Sequence, residues 1–267
     1  MEPLAQFPRG RVSDMLAKNF NESRKTFERK REIWKSKNPR KLELIEDLNK
    51  GKAVSSAYAR LRIFDKREKL EQAIRKQSRP ELPEEIKIGD ALELLKQVPV
   101  KSIDCTLTSP PFVLDDADYM LWFAKLLTEI RRVTIDYALI FNSSTRLTEI
   151  CRATNPFRTL IWYKGITQEP FRYEPIFAYK MESARFNINS RIQRDILQYS
   201  PPQPGERLHR DQNPPELYEE LIQITAAETI LDSFLGSGTT YKVCTKLGKK
   251  CVGFEIERKY LPFILAA

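Results

Sequence analysis

Two patterns of apolar residues divide the chain. Up to about residue 78 they recur at helical spacing amid Lys, Arg and Glu, which predicts helices over residues 13–36, 41–48 and 54–78. Asn38-Pro39 breaks the first of these, and the second ends near Gly51. In the third, Leu61, Phe64, Leu70 and Ile74 supply the apolar contacts. Arg79-Pro80-Glu81-Leu82-Pro83 then punctuates the chain, so a domain boundary is placed between residues 79 and 80. Beyond Pro83 short β-rich runs alternate with helices. Strands are predicted at Glu85–Ile88, Ile103–Leu107, Tyr137–Phe141, Leu160–Tyr163, Pro175–Tyr179, Thr229–Leu231 and Cys251–Phe254. Helices are predicted at Ala117–Arg132, Thr145–Arg152, Pro215–Ala226, Thr239–Leu247 and Arg258–Leu265. Such alternation predicts an α/β domain with a mostly parallel sheet, in which ligands bind beyond the carboxyl ends of strands.

Composition supports a folded chain, with 41% hydrophobic residues among 267. No apolar run approaches the roughly 20 residues that span a bilayer, and Met1–Gln6 lacks the pattern of a secretory signal. The expectation is a cytoplasmic protein. Charge changes the picture more. Residues 1–79 hold 22 Lys and Arg against 11 Asp and Glu, a net of +11, whereas residues 80–267 hold 23 against 25, a net of −2. A basic segment joined to a near-neutral domain is the composition of a polyanion-binding appendage, although alternating charges also make an ordinary solvated helical surface. Cys105, Cys151, Cys244 and Cys251 are scattered, and His209 is the one histidine, so neither a metal site nor a disulfide framework is expected.

Two loops carry candidate chemistry. Asp232-Ser233-Phe234-Leu235-Gly236-Ser237-Gly238-Thr239-Thr240 follows one predicted strand and opens a helix. Its glycines permit a tight turn and close approach to a ligand, and the helix start offers free N–H groups. It lacks the Gly-Lys-Ser/Thr ending of a P-loop, and Tyr241 replaces the third glycine of a dinucleotide fingerprint. Glu255, 17 residues past Gly238, ends the next predicted strand, where an acid is placed to bind both hydroxyls of a ribose. Together they suggest a nucleoside cofactor without a pyrophosphate. The second loop, Thr108-Ser109-Pro110-Pro111-Phe112, follows Ile103–Leu107. Its prolines remove two donors and leave a rigid array of carbonyl acceptors beside a serine and an aromatic plate. That suits a flat base bearing an NH₂ group; by itself the motif reads rather as a proline turn capping a strand.

In combination, Ser-Pro-Pro-Phe at Ser109–Phe112 and Phe-x-Gly-x-Gly at Phe234–Gly238 resemble the amino-methyltransferases that modify cytosine N4 or adenine N6. The chemistry loop precedes the cofactor loop, with Asp232 lying 120 positions after Phe112, an order similar to that of the circularly permuted beta class. Gly89-Asp90-Ala91-Leu92, Tyr173-Glu174-Pro175-Ile176 and the segment from His209 to Leu217 add to the resemblance, which covers about residues 85–262. Asn213 departs from the lysine usual before Pro214, and Ser233 from a frequent proline.

The resemblance implies a Rossmann-like, S-adenosylmethionine-dependent methyltransferase sheet with helices on both faces, preceded by the basic helical region. It assigns catalysis to Ser109, Pro110, Pro111 and Phe112, and the cofactor to Asp232, Phe234, Gly236, Gly238, Thr239, Glu255 and Asp90. Serine ahead of Pro-Pro resembles the cytosine-N4 subgroup. DNA-modifying members usually carry a large recognition region where this chain has only residues 181–208, so structured RNA such as ribosomal RNA is expected ahead of DNA. The alternatives are a DNA cytosine-N4 methylase of a restriction–modification system, an adenine-N6 enzyme, and a nucleic-acid-binding protein with a relic methyltransferase domain. Trp162, Lys164 and Phe171-Arg172-Tyr173 read equally as base-pocket lining or as packing and solvated loop. Asp115, Asp116 and Asp118 read as helix N-terminal acids rather than metal ligands.

Overall fold

The computed structural model describes residues 17, 21–76, 82–112, 116–165, 172–202, 208 and 212–265. Arg79-Pro80-Glu81, Asp115, Phe171 and His209 lie outside the described residues. The described chain forms two compact units, the first running to Arg75 and taking in Leu208, the second holding the other described residues from Lys76 on.

The first unit is helical: α1 is Arg24–Lys35, α2 Lys41–Asn49 and α3 Val54–Lys76. The single helix expected over residues 13–36 is corrected at Asn21–Ser23. Asn21 takes a left-handed φ of 52°, and Ser23 caps α1 by accepting from the Thr26 amide at 3.1 Å. Ile33, Leu44, Ala57 and Leu61 make its core. Asn38, which ends the first helical run in sequence, is buried, and its amide donates to Asp65 at 3.2 Å and Glu68 at 3.1 Å. Hydrogen bonds to charged groups contribute about 1.5–3 kcal/mol each, so this asparagine pins the α1–α2 turn to α3.

The second unit holds an eight-stranded sheet. Its strands are β1 (Ile86–Ile88), β2 (Ile103–Thr108), β3 (Thr134–Phe141), β4 (Arg158–Tyr163), β5 (Tyr173–Lys180), β6 (Ile196–Gln198), β7 (Thr229–Asp232) and β8 (Lys250–Glu255). The order is β1-β8-β7-β2-β3-β5-β4-β6. The pairs from β1 through β3 are parallel, β5 runs antiparallel to both β3 and β4, and β6 is parallel to β4. Helices α4 (Ala91–Leu95), α5 (Asp116–Val133), α6 (Leu147–Thr154), α7 (Pro215–Thr225), α8 (Thr239–Leu247) and α9 (Leu261–Ile264) complete it.

The period-2 alternation of each strand feeds two cores. Tyr137, Leu139 and Phe141 of β3 pack on one face with Leu217, Tyr218, Leu221 and Ile222 of α7 and Val243 of α8. Ala138 and Ile140 pack on the other with Tyr119, Phe123, Leu126, Leu127 and Ile130 of α5. Helices therefore cover both faces. The α5 positions recur at i, i+4, i+7, i+8 and i+11, the apolar stripe of a helix buried along one side. Two elements were not expected from the sequence, α4 and β6, and β3 begins three residues before the predicted Tyr137. Among the described residues no helix is long and apolar enough to cross a membrane, and no cluster of three metal-ligating side chains occurs.

Candidate active site

Neighbouring β8, β7, β2 and β3 end on the same edge of the sheet, where they place Glu255, Asp232, Thr108 and Asn142. Asp232 is 3% exposed. Its Oδ1 accepts from the Thr108 hydroxyl at 2.8 Å and the Phe234 amide at 3.0 Å, and its Oδ2 accepts from the Thr240 hydroxyl. Burial pushes its carboxyl above the ordinary aspartate value, and the three donors pull it back down.

The glycine loop is keyed to the strands beneath it. Leu235 donates its amide to the Phe254 carbonyl at 2.8 Å. Its side chain fills the space that a Cβ on Gly253 would take, which would lie 2.7 Å from Leu235 and 2.9 Å from Ile86. Gly238, at φ +83°, starts α8, and a Cβ there would meet the Ile264 backbone at 3.2 Å. Gly238→Ala is therefore expected to lower stability by about 2 kcal/mol, from left-handed strain plus overpacking, read as a lower urea midpoint at unchanged m-value. An unchanged midpoint would mean that α9 gives way at no cost. Glu255, also buried, receives the Gly236 amide on Oε2 at 2.7 Å and the Glu257 amide on Oε1 at 2.7 Å. Burial raises its carboxyl above the glutamate range, and those two amides oppose the rise. Both oxygens keep acceptor capacity, because each has two lone pairs and one bond.

The proline loop continues directly from Thr108. Ser109 and Phe112 are half-buried, Pro110 is buried and Pro111 exposed. Among the described residues neither the Ser109 hydroxyl nor the Pro110 carbonyl has a hydrogen-bond partner, whereas the adjacent Thr108 hydroxyl is saturated by Asp232 and Ser233. Two acceptors without a protein partner among the described residues thus stand one and two residues from a direct link to the glycine loop.

Phe234 of that loop packs on Trp122 at 5.9 Å between centroids, and Trp122 on Tyr119 at 5.7 Å. Buried Asn142, just past β3, donates to the Tyr119 hydroxyl at 2.5 Å, and burial pushes that phenol up to about 12. The Arg146 guanidinium lies over the same ring at 4.1 Å. This wall was not read from the sequence. Its signal was an aromatic pair at i, i+3 on α5 and an asparagine ending an apolar strand.

Asp90 follows β1 at the same sheet edge and caps α4, its Oδ1 accepting from Leu92 N at 2.9 Å and Glu93 N at 3.1 Å. Thr239 is the buried first residue of α8. Trp162 is a core residue whose Nε1 donates to the Tyr199 carbonyl at 2.8 Å. Lys164 is buried and paired with Glu174 at 2.6 Å. Asn213 donates to the Tyr218 hydroxyl at 3.0 Å, and that ring stacks on Phe141 at 5.5 Å.

Residues 152–266 match the N6/N4 methyltransferase family, described as DNA methylase. The DNA adenine methyltransferase YhdJ of Escherichia coli (strain K12) is 24% identical over 230 residues, taking in 65% of this chain and 78% of that protein. The solved PvuII DNA methyltransferase (cytosine-N4-specific) superposes with a TM-score of 0.56 at 18% identity, over 67% of this chain and 84% of that one. TTHA0409 of Thermus thermophilus, solved with S-adenosyl-L-methionine, gives 0.55 at 20% identity, over 67% and 90%. The eight-stranded sheet with its helices is the Rossmann-like fold of these methyltransferases.

Proposed function

We propose that this chain is an N6/N4 DNA methylase-type enzyme, one that transfers methyl from S-adenosylmethionine to the exocyclic amine of a nucleic-acid base on a sheet with the methyltransferase fold. One observation carries the reading: the unpartnered Ser109 hydroxyl and Pro110 carbonyl adjoin the Thr108–Asp232 bond that joins them to the glycine loop. Bound there, S-adenosylmethionine supplies an electrophilic methyl on a sulfonium whose departing thioether is neutral. The residues present fit it. Glu255 has acceptor capacity for a ribose diol, Gly236 and Gly238 let the loop approach closely, and the Phe234–Trp122 wall flanks the loop.

The base amine is a poor nucleophile because its lone pair is delocalised into the ring. Accepting both N–H bonds, Ser109 Oγ and the Pro110 carbonyl draw that nitrogen toward tetrahedral geometry and align it. As positive charge develops on nitrogen the same two oxygens stabilise it, and the surplus proton leaves through Ser109 Oγ to water. Phe112 stacks on the base after it leaves its helix. Ser109→Ala is expected to reduce the methyl-transfer rate about ten- to a hundredfold, since bonds to charged groups contribute roughly 1.5–3 kcal/mol, with cofactor affinity unchanged in calorimetry. Full activity in that variant would remove serine from the mechanism.

Cytosine N4 is the proposed target ahead of adenine N6, on the serine of Ser109–Phe112 and the cytosine-N4 specificity in the PvuII name; the adenine specificity of YhdJ supports the other base. DNA is the first polymer to test, following the names of the relatives. Structured RNA is the second reading, favoured by the basic first unit and the short 181–208 segment. The order of the two loops fits a circularly permuted arrangement. The deciding experiment is labelled methyl transfer to DNA and to RNA, followed by nucleoside mass spectrometry. N4-methyldeoxycytidine supports the proposal, N4-methylcytidine moves it to RNA, and N6-methyladenine moves it to the other base. No transfer to either polymer would leave a fold without the activity.

A further inference from the structure

The first unit carries a groove of about 680 Å³ lined by α1, the turn after it and α3. Four of its carboxylates are engaged within the unit. Glu28 pairs with Arg24 at 2.9 Å, Glu32 accepts the Tyr58 hydroxyl at 2.7 Å, and Asp65 and Glu68 take the Asn38 amide. Four of its cations are not: Arg31, Lys35, Lys37 and Lys69 have no acidic partner among the described residues. Trp34, 59% exposed, lies outside the groove lining but follows Arg31 by three positions on α1, so it flanks the groove on the same helix. Arg31 and Lys35 are one helical turn apart, about 5.4 Å, a spacing that successive phosphates of one strand can follow.

The groove's five cations exceed its four carboxylates by one, and Arg31, Lys35 and Lys37, none with an acidic partner among the described residues, lie along the stretch of chain that carries the exposed indole. We propose that this face binds a single-stranded segment of nucleic acid, one base stacked on Trp34 and the backbone phosphates held by Arg31, Lys35, Lys37 and Lys69. The inference deepens the nucleic-acid reading and rests on it. Single strands are favoured over duplex because a base stacks on an aromatic ring only when it has left its neighbours, and every base has a π-face to offer. Phosphates run along the cationic rim, since the groove floor keeps the charges of Asp65 and Glu68.

The test uses the full chain and 20-mers of dT and rU, with anisotropy read across a salt series. Trp34→Ala is expected to weaken binding of both about tenfold, Trp34→Phe to restore most of it, and a blunt 20-base-pair duplex to show less than a twofold change. Arg31→Glu with Lys35→Glu should reduce the slope of log affinity against log salt by about 1.4, two phosphate contacts on a single strand. Lys87→Glu with Lys125→Glu, both exposed in the other unit, imposes the same charge change elsewhere and is expected to leave most of the slope. Equal losses in that control, or unchanged single-strand affinity in Trp34→Ala, would overturn the proposal. Methyl transfer measured on the same preparations separates the two readings. Strand binding through Trp34 without any transfer removes the enzyme and keeps the groove; transfer with binding indifferent to Trp34 does the reverse.

Discussion

Glu255→Gln is expected to weaken S-adenosylmethionine binding by about a hundredfold or more, measured by titration calorimetry. A carboxylate that accepts two ribose hydroxyls makes two charge-assisted bonds, each contributing roughly 1.5–3 kcal/mol. The amide loses one acceptor oxygen, and its NH₂ then faces the Gly236 or the Glu257 N–H, which now donate to Oε2 and Oε1. The pH profile gives a second readout. Burial raises the folded-state Glu255 value above that of the unfolded chain. Cofactor affinity should therefore fall as pH drops through this raised value, and the fall should be absent in Glu255→Gln. The stability of the free protein should respond in the opposite sense. Between the raised folded value and the lower unfolded one, the native state binds the extra proton, so protonation of Glu255 contributes stability as pH falls through that window and none above it. A cofactor affinity that is flat in wild type and variant alike would remove Glu255 from the ribose.

Asp232→Ala is expected to lower folding stability by about 3–5 kcal/mol. The substitution strands the Thr108 hydroxyl, the Thr240 hydroxyl and the Phe234 amide in a buried pocket, and unsatisfied buried groups cost about 1–3 kcal/mol each. The Thr108 hydroxyl can still meet Ser233, 3.2 Å away, which limits the loss. Asp232→Asn should be much milder. It keeps one acceptor oxygen, a threonine hydroxyl can turn to accept from its NH₂, and it removes a buried charge whose carboxyl burial has already pushed upward. Urea denaturation of the three proteins at neutral pH checks the order. An asparagine variant as unstable as alanine would mean that the charge, not the acceptor geometry, holds the strand ends.

Much of this site was legible in the sequence because its parts are backbone chemistry. Tandem prolines, left-handed glycines and an acid at a strand end each declare a local geometry, and α8 begins and ends where the pattern places it, at Thr239 and Leu247. What escaped was set by tertiary partners. β3 starts at Thr134 because buried Thr106 bonds it at 2.7 Å and because Arg185 pairs with buried Asp136, two polar positions that read as loop in isolation. The three residues of β6 are a strand only because β4 offers them an edge. Asp90 carries a second role that was not read from its place in the motif. The resemblance gives it to the cofactor, yet Asp-x-x-Glu at Asp90–Glu93 also spells a helix start, and the short α4 it caps is there. The helix read through residues 13–36 failed at Asn21 and Ser23, residue types that favour turns and caps over helix interiors.

In the proposed enzyme, the hydroxyl of Thr108 bears on how the base site and the donor site communicate. It ends the strand that presents the acceptor oxygens, and it is bonded to the carboxylate that anchors the glycine loop. On that reading, a ligand that stiffens one loop is expected to restrict the other, so that occupancy of the two proposed sites is linked, and linkage is reciprocal. By whatever factor a bound base raises the affinity for methyl donor, the donor must raise the affinity for the base. Thr108→Val, by cutting the bond, should shrink both factors together and bring the enzyme closer to random, independent order of binding.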